Sequence, residues 1–429
     1  MAHTTAYWLS PAPSEVTYSR VALDFDLRAA DLFFRELVVP ELGRVWFSRQ
    51  LSWPLAALAL NEELASGVSN APTPTLICQG IEALACKLEY EANRAPETRS
   101  RRILGTRAFG REGGEEVWSF HRLSQASNYV RNTHRQAATR AVRIDGGLGF
   151  ARGAGFDLLE LEPIGRALAF AFLNQKVGQG GMTLRKWLVG WLHNEKTLPA
   201  SRASFRIALS PEYATDDERA LVRSRLLGTS TPASEQRKRL AQVLGRAAEM
   251  PNIEGSVVMR LRDRGHREQA DQIIAARTFG AVLDRARDAV ASLTRAIEPA
   301  REGVNVSTLL TDPSNMRALN NLRSTTKSYL ERASMAGVDE PTSRAFAEAV
   351  ASSDDAEVTR LVVQRSGEVL GLIDASVVRG PRFRIVDGAD ETSDLEDGAT
   401  SIEPDRTGRT FRIANLHELL RDVNQRGAR

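Results

Sequence analysis

The chain has 429 residues, 42% hydrophobic and 26% charged, with a formal net charge of +3. That is room for two or three domains around a sizeable core, while no apolar run reaches the roughly 18 to 20 residues a membrane-spanning helix needs; the longest, at 51–60, contains Pro54. Cys78 and Cys86 are spaced to sit as small core residues on one helix, not as a disulfide or metal pair, and the start MAHTTAYWLS has no basic-then-apolar leader, so a cytoplasmic protein is expected.

In chain order, Leu27, Ala30, Phe33, Phe34 and Leu37 form a helical stripe that stops before Pro40. Trp46 and Trp53 follow as core anchors, with a short helix over 55–64. The stretch SNAPTP at 69–74 is a turn, and Pro74 suits the first turn of a helix over 75–92, with Leu76, Ile81, Leu84 and Leu88 inward. Residues 94–114 read as a basic loop around a short strand at 103–109.

The segment 121–172 carries the functional reading. Leu123, Ala126, Val130, Ala137 and Ala141 place an apolar face on one helix over 123–143, and Asn128, Asn132, Arg135, Thr139 and Arg143 lie opposite. Asp145-Gly146-Gly147 ends that helix, because glycine accepts the left-handed backbone of a helix stop. Strands near 148–151 and 156–161, joined by Arg152-Gly153-Ala154-Gly155, form a hairpin, and Pro163 opens a closing helix. Its end, LELEPIGRALAFAF, resembles the strand-then-helix close of many bacterial winged-helix modules, a pattern covering about 50 residues.

Beyond Gly178-Gln179-Gly180-Gly181 the chain reads as helices: an amphipathic one with Leu184, Trp187, Leu188 and Trp191, capped helices starting near Thr215 and Ser234, and a long one over 269–297. A helix starts at Asp312-Pro313, and helices over 341–352 and 354–372 follow. Strands at 377–386 and 409–413 are expected to pair as a terminal hairpin around a disordered insert, 386–405, holding eight carboxylates and no basic residue. A helix over 415–424 closes the chain.

The fold class is thus mainly α: a helical domain over 1–175 containing a winged helix (75–175), a helical interaction region over 176–375, and a hairpin, acidic insert and final helix over 376–429. Chemistry is scarce. The six histidines are never closer than 13 residues, so no metal site is expected. No D/E-x-K nuclease triplet, G-x-x-x-x-G-K-S/T loop or G-x-S-x-G elbow occurs, so no catalytic residue or cofactor is expected. His193-Asn194-Glu195 reads as a polar helix end rather than an acid–base pair. Charge is the remaining signal. Residues 97–143 hold ten arginines against four glutamates, in a chain with only six lysines.

Arginine and asparagine match guanine and adenine edges bidentately. The expected nucleic-acid-binding residues are Asn128, Arg131, Asn132, Arg135, Thr139, Arg140, Arg143 and Arg152, with Arg135 and Asn132 on bases and Arg131, Arg140, Arg143 and Arg152 on phosphates. The expected function is a non-enzymatic subunit contacting duplex DNA. The general look is similar to accessory subunits of bacterial antiviral-defence or genome-maintenance operons, which implies protein partners such as an ATPase or nuclease. A scaffold whose winged helix docks such a partner without DNA, and an enzyme of another class, are the alternatives.

Overall fold

The computed structural model describes residues 23–66, 71–95, 102–110, 118–177, 180–193, 202–245, 251–300, 302–383 and 411–425. These residues are mainly helical, with two small antiparallel sheets.

The first half holds α1 (Arg28–Val38), α2 (Arg49–Ala65), α3 (Pro74–Ala92), single-turn α4 (Thr106–Phe109) and α5 (Phe120–Leu123), and α6 (His134–Val142). A hairpin of β1 (Ala151–Arg152) and β2 (Glu160–Leu161) leads into α7 (Pro163–Leu173). α2 is apolar or small on every side, so it is buried on every side. Its residues from Arg49 to Leu60 are all buried, and α3, α6 and α7 pack around it. Trp53, Trp187 and Trp191 are core anchors, as their spacing predicts. Cys78 and Cys86 are free and buried on α3.

α8 (Leu184–Leu192), α9 (Arg202–Leu209), α10 (Asp216–Leu227) and α11 (Pro232–Leu244) follow, then a π-turn at Ile253–Val258 and α12 (Met259–Asp263). α10 opens with a full capping box between Thr215 and Glu218. α11 starts two residues ahead of the expected Ser234, because Thr231 caps it and Pro232 occupies its first position. The long α13 (Arg267–Ile297) is the spine of the next layer. β3 (Val304–Asn305), α14 (Val306–Leu309), α15 (Pro313–Met335), α16 (Pro341–Ser352), α17 (Asp355–Gln364), β4 (Leu370–Ile373) and β5 (Ser376–Arg379) complete it, and α18 (Ile413–Asn424) ends the described chain.

Several expectations change, and Leu76, expected inward on α3, is 40% exposed. The strand at 103–109 is a loop and α4, entered through Gly105 at φ +79°. The helix over 354–372 stops at Gln364: Gly367 and Glu368 take positive φ, and the chain turns into β4, which pairs with β5 in the order β3-β5-β4. The helix over 123–143 divides into α5, a 3-10 turn at Ala126–Asn128, and α6. Side chains compete for its backbone there. Asn128 Nδ2 donates to the Arg122 carbonyl at 3.0 Å, and Thr133 caps α6.

The two ends of the described chain dock far from their sequence neighbours. On α1, Phe34 stacks on Phe279 of α13 at 4.6 Å. α18 packs on α10 and α11, and its buried Asp422 accepts the Ser48 N–H at 2.7 Å, at the start of α2. The acidic stretch 386–405 and most of the expected terminal pairing (384–410) lie outside the described residues. Phe411 and Arg412 form a turn at positive φ leading into α18.

Candidate nucleic-acid interface

α6 is fixed at its N-terminus by a carboxylate from another helix. Glu82 of α3 accepts the backbone N–H of His134 at 2.9 Å and of Arg135 at 2.6 Å. A helix start carries orphan donors and partial positive charge, so a carboxylate is a strong cap there. The site is dry. Burial pushes the Glu82 carboxyl up to about 7, opposed by hydrogen bonds from Cys78 and from the α6 backbone. His134 lies among the Trp46, Phe47 and Trp53 rings at 5.7, 5.4 and 5.3 Å, and burial drives its pKa down to about 3. Both residues therefore sit with perturbed titration directly behind the outward face of α6.

Ala137, Ala138, Ala141 and Val142 turn inward, while Gln136 and Arg140 are exposed and Arg135, Thr139 and Arg143 half-buried. The antiparallel hairpin follows, with Ala151 opposite Leu161 and Arg152 opposite Glu160. It is held close at both ends. The Arg143 carbonyl accepts the Gly149 N–H and the Ile144 N–H donates to the Ala151 carbonyl, joining the end of α6 to the turn and the hairpin, and Gly165 of α7 approaches the Phe150 carbonyl so closely that an added Cβ would stand 1.9 Å from it. At the tip, Asp157 accepts the Thr75 N–H at 2.7 Å, capping the start of α3, and Leu158 is 76% exposed.

The eight sequence-nominated residues separate into groups. Arg131 and Asn132 are exposed just ahead of α6. Asn128 is in the 3-10 turn, with its amide used on the Arg122 carbonyl. Arg135 lays its guanidinium over the Phe156 ring at 5.0 Å, tying α6 to the hairpin. Thr139 donates its hydroxyl to the Arg135 carbonyl, an internal helix bond. Arg140 pairs with Glu36 of α1 at 3.3 Å while staying about half exposed. Arg143 has no carboxylate partner among the described residues. Arg152 is held by Glu160 at 2.8 Å and by Glu162 at 3.9 Å on an exposed surface. Gln136 is a further exposed residue of this face, four residues before Arg140 on α6, the spacing that puts the two on one side of the helix.

Other chemistry has thin support. No group of three His, Cys, Asp or Glu side chains that could hold a metal ion occurs among the described residues. His193 caps the end of α8, and its neighbours Asn194 and Glu195 lie outside the described residues. An open cleft of about 630 Å³ between α7 and α10 has Asn174, Gln175, Thr215 and Asp217 as its polar lining. No helix among the described residues is long and apolar enough to cross a membrane. No protein-family model, curated protein or solved structure matches the chain.

Proposed function

We propose that the chain is a non-enzymatic DNA-binding subunit that lays α6 in the groove of a duplex, with the β1–β2 hairpin as its wing. The observation that carries this reading is the exposed set Arg131, Asn132, Gln136 and Arg140 along and just ahead of α6, with Arg140 tied to α1 by its half-exposed pair with Glu36 and the end of α6 joined to the hairpin at Ile144 and Ala151. Asn132 and Gln136 are amides matched to adenine edges, and Arg131 is matched to guanine or phosphate. Arg140 and Arg143 fall to phosphates, Arg140 by exchanging a half-exposed pairing with Glu36 for one with the duplex. Arg135 is assigned to positioning, because its guanidinium is spent on Phe156. The helical layer around α13 and α15 is assigned to protein contacts within a larger assembly.

Replacing Arg131 and Gln136 (R131E, Q136A) in the full chain tests this. Binding to a labelled duplex should weaken by about 1–3 kcal/mol for each lost base contact. Unchanged binding would remove α6 from the interface. A second reading, a scaffold that docks an ATPase or nuclease through the same module, is favoured by Leu158 at the hairpin tip and by the in-chain pairing of Arg152. It predicts a co-purifying partner released by L158E.

A further inference from the structure

A second arginine surface adjoins α6, built from segments far apart in sequence. The Arg44 N–H donates to the Ala137 carbonyl of α6 at 3.1 Å, so the loop after α1 runs along this helix. Gly43 makes that approach possible, since a Cβ there would sit 2.9 Å from the same carbonyl. On α1, Glu36 accepts from Arg140 of α6 and from the buried Arg412 ahead of α18, and its other oxygen accepts the Glu41 N–H. Arg35 pairs with Asp31 at 2.7 Å. Arg28 and Arg44 are exposed, and no carboxylate pairs with either among the described residues.

Five guanidinium groups (28, 35, 44, 140 and 412) thus gather around two carboxylates, Asp31 and Glu36, with Asp24 and Asp26 just before α1. Arg237 and Glu41 beside them pair with each other at 2.8 Å. The crowding is felt: lost hydration, then repulsion from Arg35 and Arg28, pushes the Arg44 pKa below its ordinary value. Like charges held together in excess of their counter-charges raise the free energy of the bare surface, and a bound polyanion relieves that repulsion. Arg28 and Arg35 are seven residues apart on α1, hence on the same side and roughly 10 Å apart along the axis. That reach spans about three phosphates of one strand at 3.4 Å of rise each.

We propose that Arg28, Arg35 and Arg44 form a phosphate track on which the DNA backbone rests as it leaves α6. The proposal builds on the α6 reading and extends the footprint onto α1. It is tested by the salt dependence of binding to a duplex of about 25 base pairs by the full chain. R28Q/R44Q should lower the slope of log affinity against log salt by about 2, one phosphate for each residue, whereas R28K/R44K should keep it. Both residues are exposed and neither has a carboxylate partner among the described residues, so thermal unfolding should change by less than about 0.5 kcal/mol. If R131E weakens binding while R28Q/R44Q leaves the slope unchanged, the track is overturned and the α6 reading stands. If the unaltered chain binds no duplex, both fall together.

Discussion

Glu82 and His134 make opposite pH dependences that mask each other. Glu82 is ionised more readily in the unfolded chain, where its pKa is near 4.5, than in the fold, where it is about 7. Its burial therefore costs nothing below pH 4.5 and about 3 kcal/mol above pH 7, and the cost grows as pH rises between them. His134 goes the other way. It stays neutral in the fold down to about 3 but protonates near 6.5 when unfolded, so the fold loses up to about 5 kcal/mol as pH falls through that range. Between pH 4.5 and 6.5 folding takes up one proton at Glu82 and excludes one at His134, and the two slopes, each about 1.4 kcal/mol per pH unit, cancel. E82Q removes one of them. Its stability should fall by about 3 kcal/mol relative to wild type between pH 6.5 and 4.5, and H134L should gain by a similar amount over the same interval. Urea unfolding followed by tryptophan fluorescence reads this, because Trp46 and Trp53 flank His134. Parallel pH profiles for wild type and E82Q would refute the argument.

Other consequences concern how the layers are tied. Arg49 is buried with its guanidinium on the Tyr213 carbonyl at 2.6 Å and on Glu218 at 2.8 Å. R49M strands the buried Glu218 charge and should cost about 3–5 kcal/mol in urea unfolding, with more than half recovered in R49M/E218Q. D422A removes the acceptor for the Ser48 N–H and the partner of Arg102 at 3.1 Å. A loss of about 2–4 kcal/mol is expected, with faster hydrogen exchange at the Ser48 amide as the direct readout. G165A forces α7 off the Phe150 carbonyl and should lower thermal stability by about 2–3 kcal/mol, whereas an unchanged melting curve would mean that the hairpin is not seated on α7.

What could be read from sequence follows the range of the interactions. α3, α10 and α15 start where Pro74, Thr215 and Asp312-Pro313 place them, because a cap and a first-turn proline act within four residues. The apolar period along 269–297 likewise marks α13. The division of 123–143 was hidden, since half of it is set by Glu82, some fifty residues upstream. The end of α17 had a local signal in Ser366-Gly367 that the apolar period outweighed. For the site, the basic segment and the hairpin were legible. The partners of its arginines were not: Glu36 comes from α1, Arg412 from the turn before α18, and Arg44 from a loop that meets α6 only through Gly43 and Ala137. Charge counts along a chain locate arginines but not the carboxylates that fold against them.

The most direct test of the central claim is the affinity of the unaltered chain for a labelled duplex between about 50 and 200 mM salt. Contacts from Arg28, Arg35, Arg44, Arg131, Arg140 and Arg143 would neutralise about five or six phosphates, giving a log–log slope near −5. A slope near that value supports α6 and α1 as one DNA-binding surface. No binding at the lowest salt, or binding indifferent to salt, would contradict it.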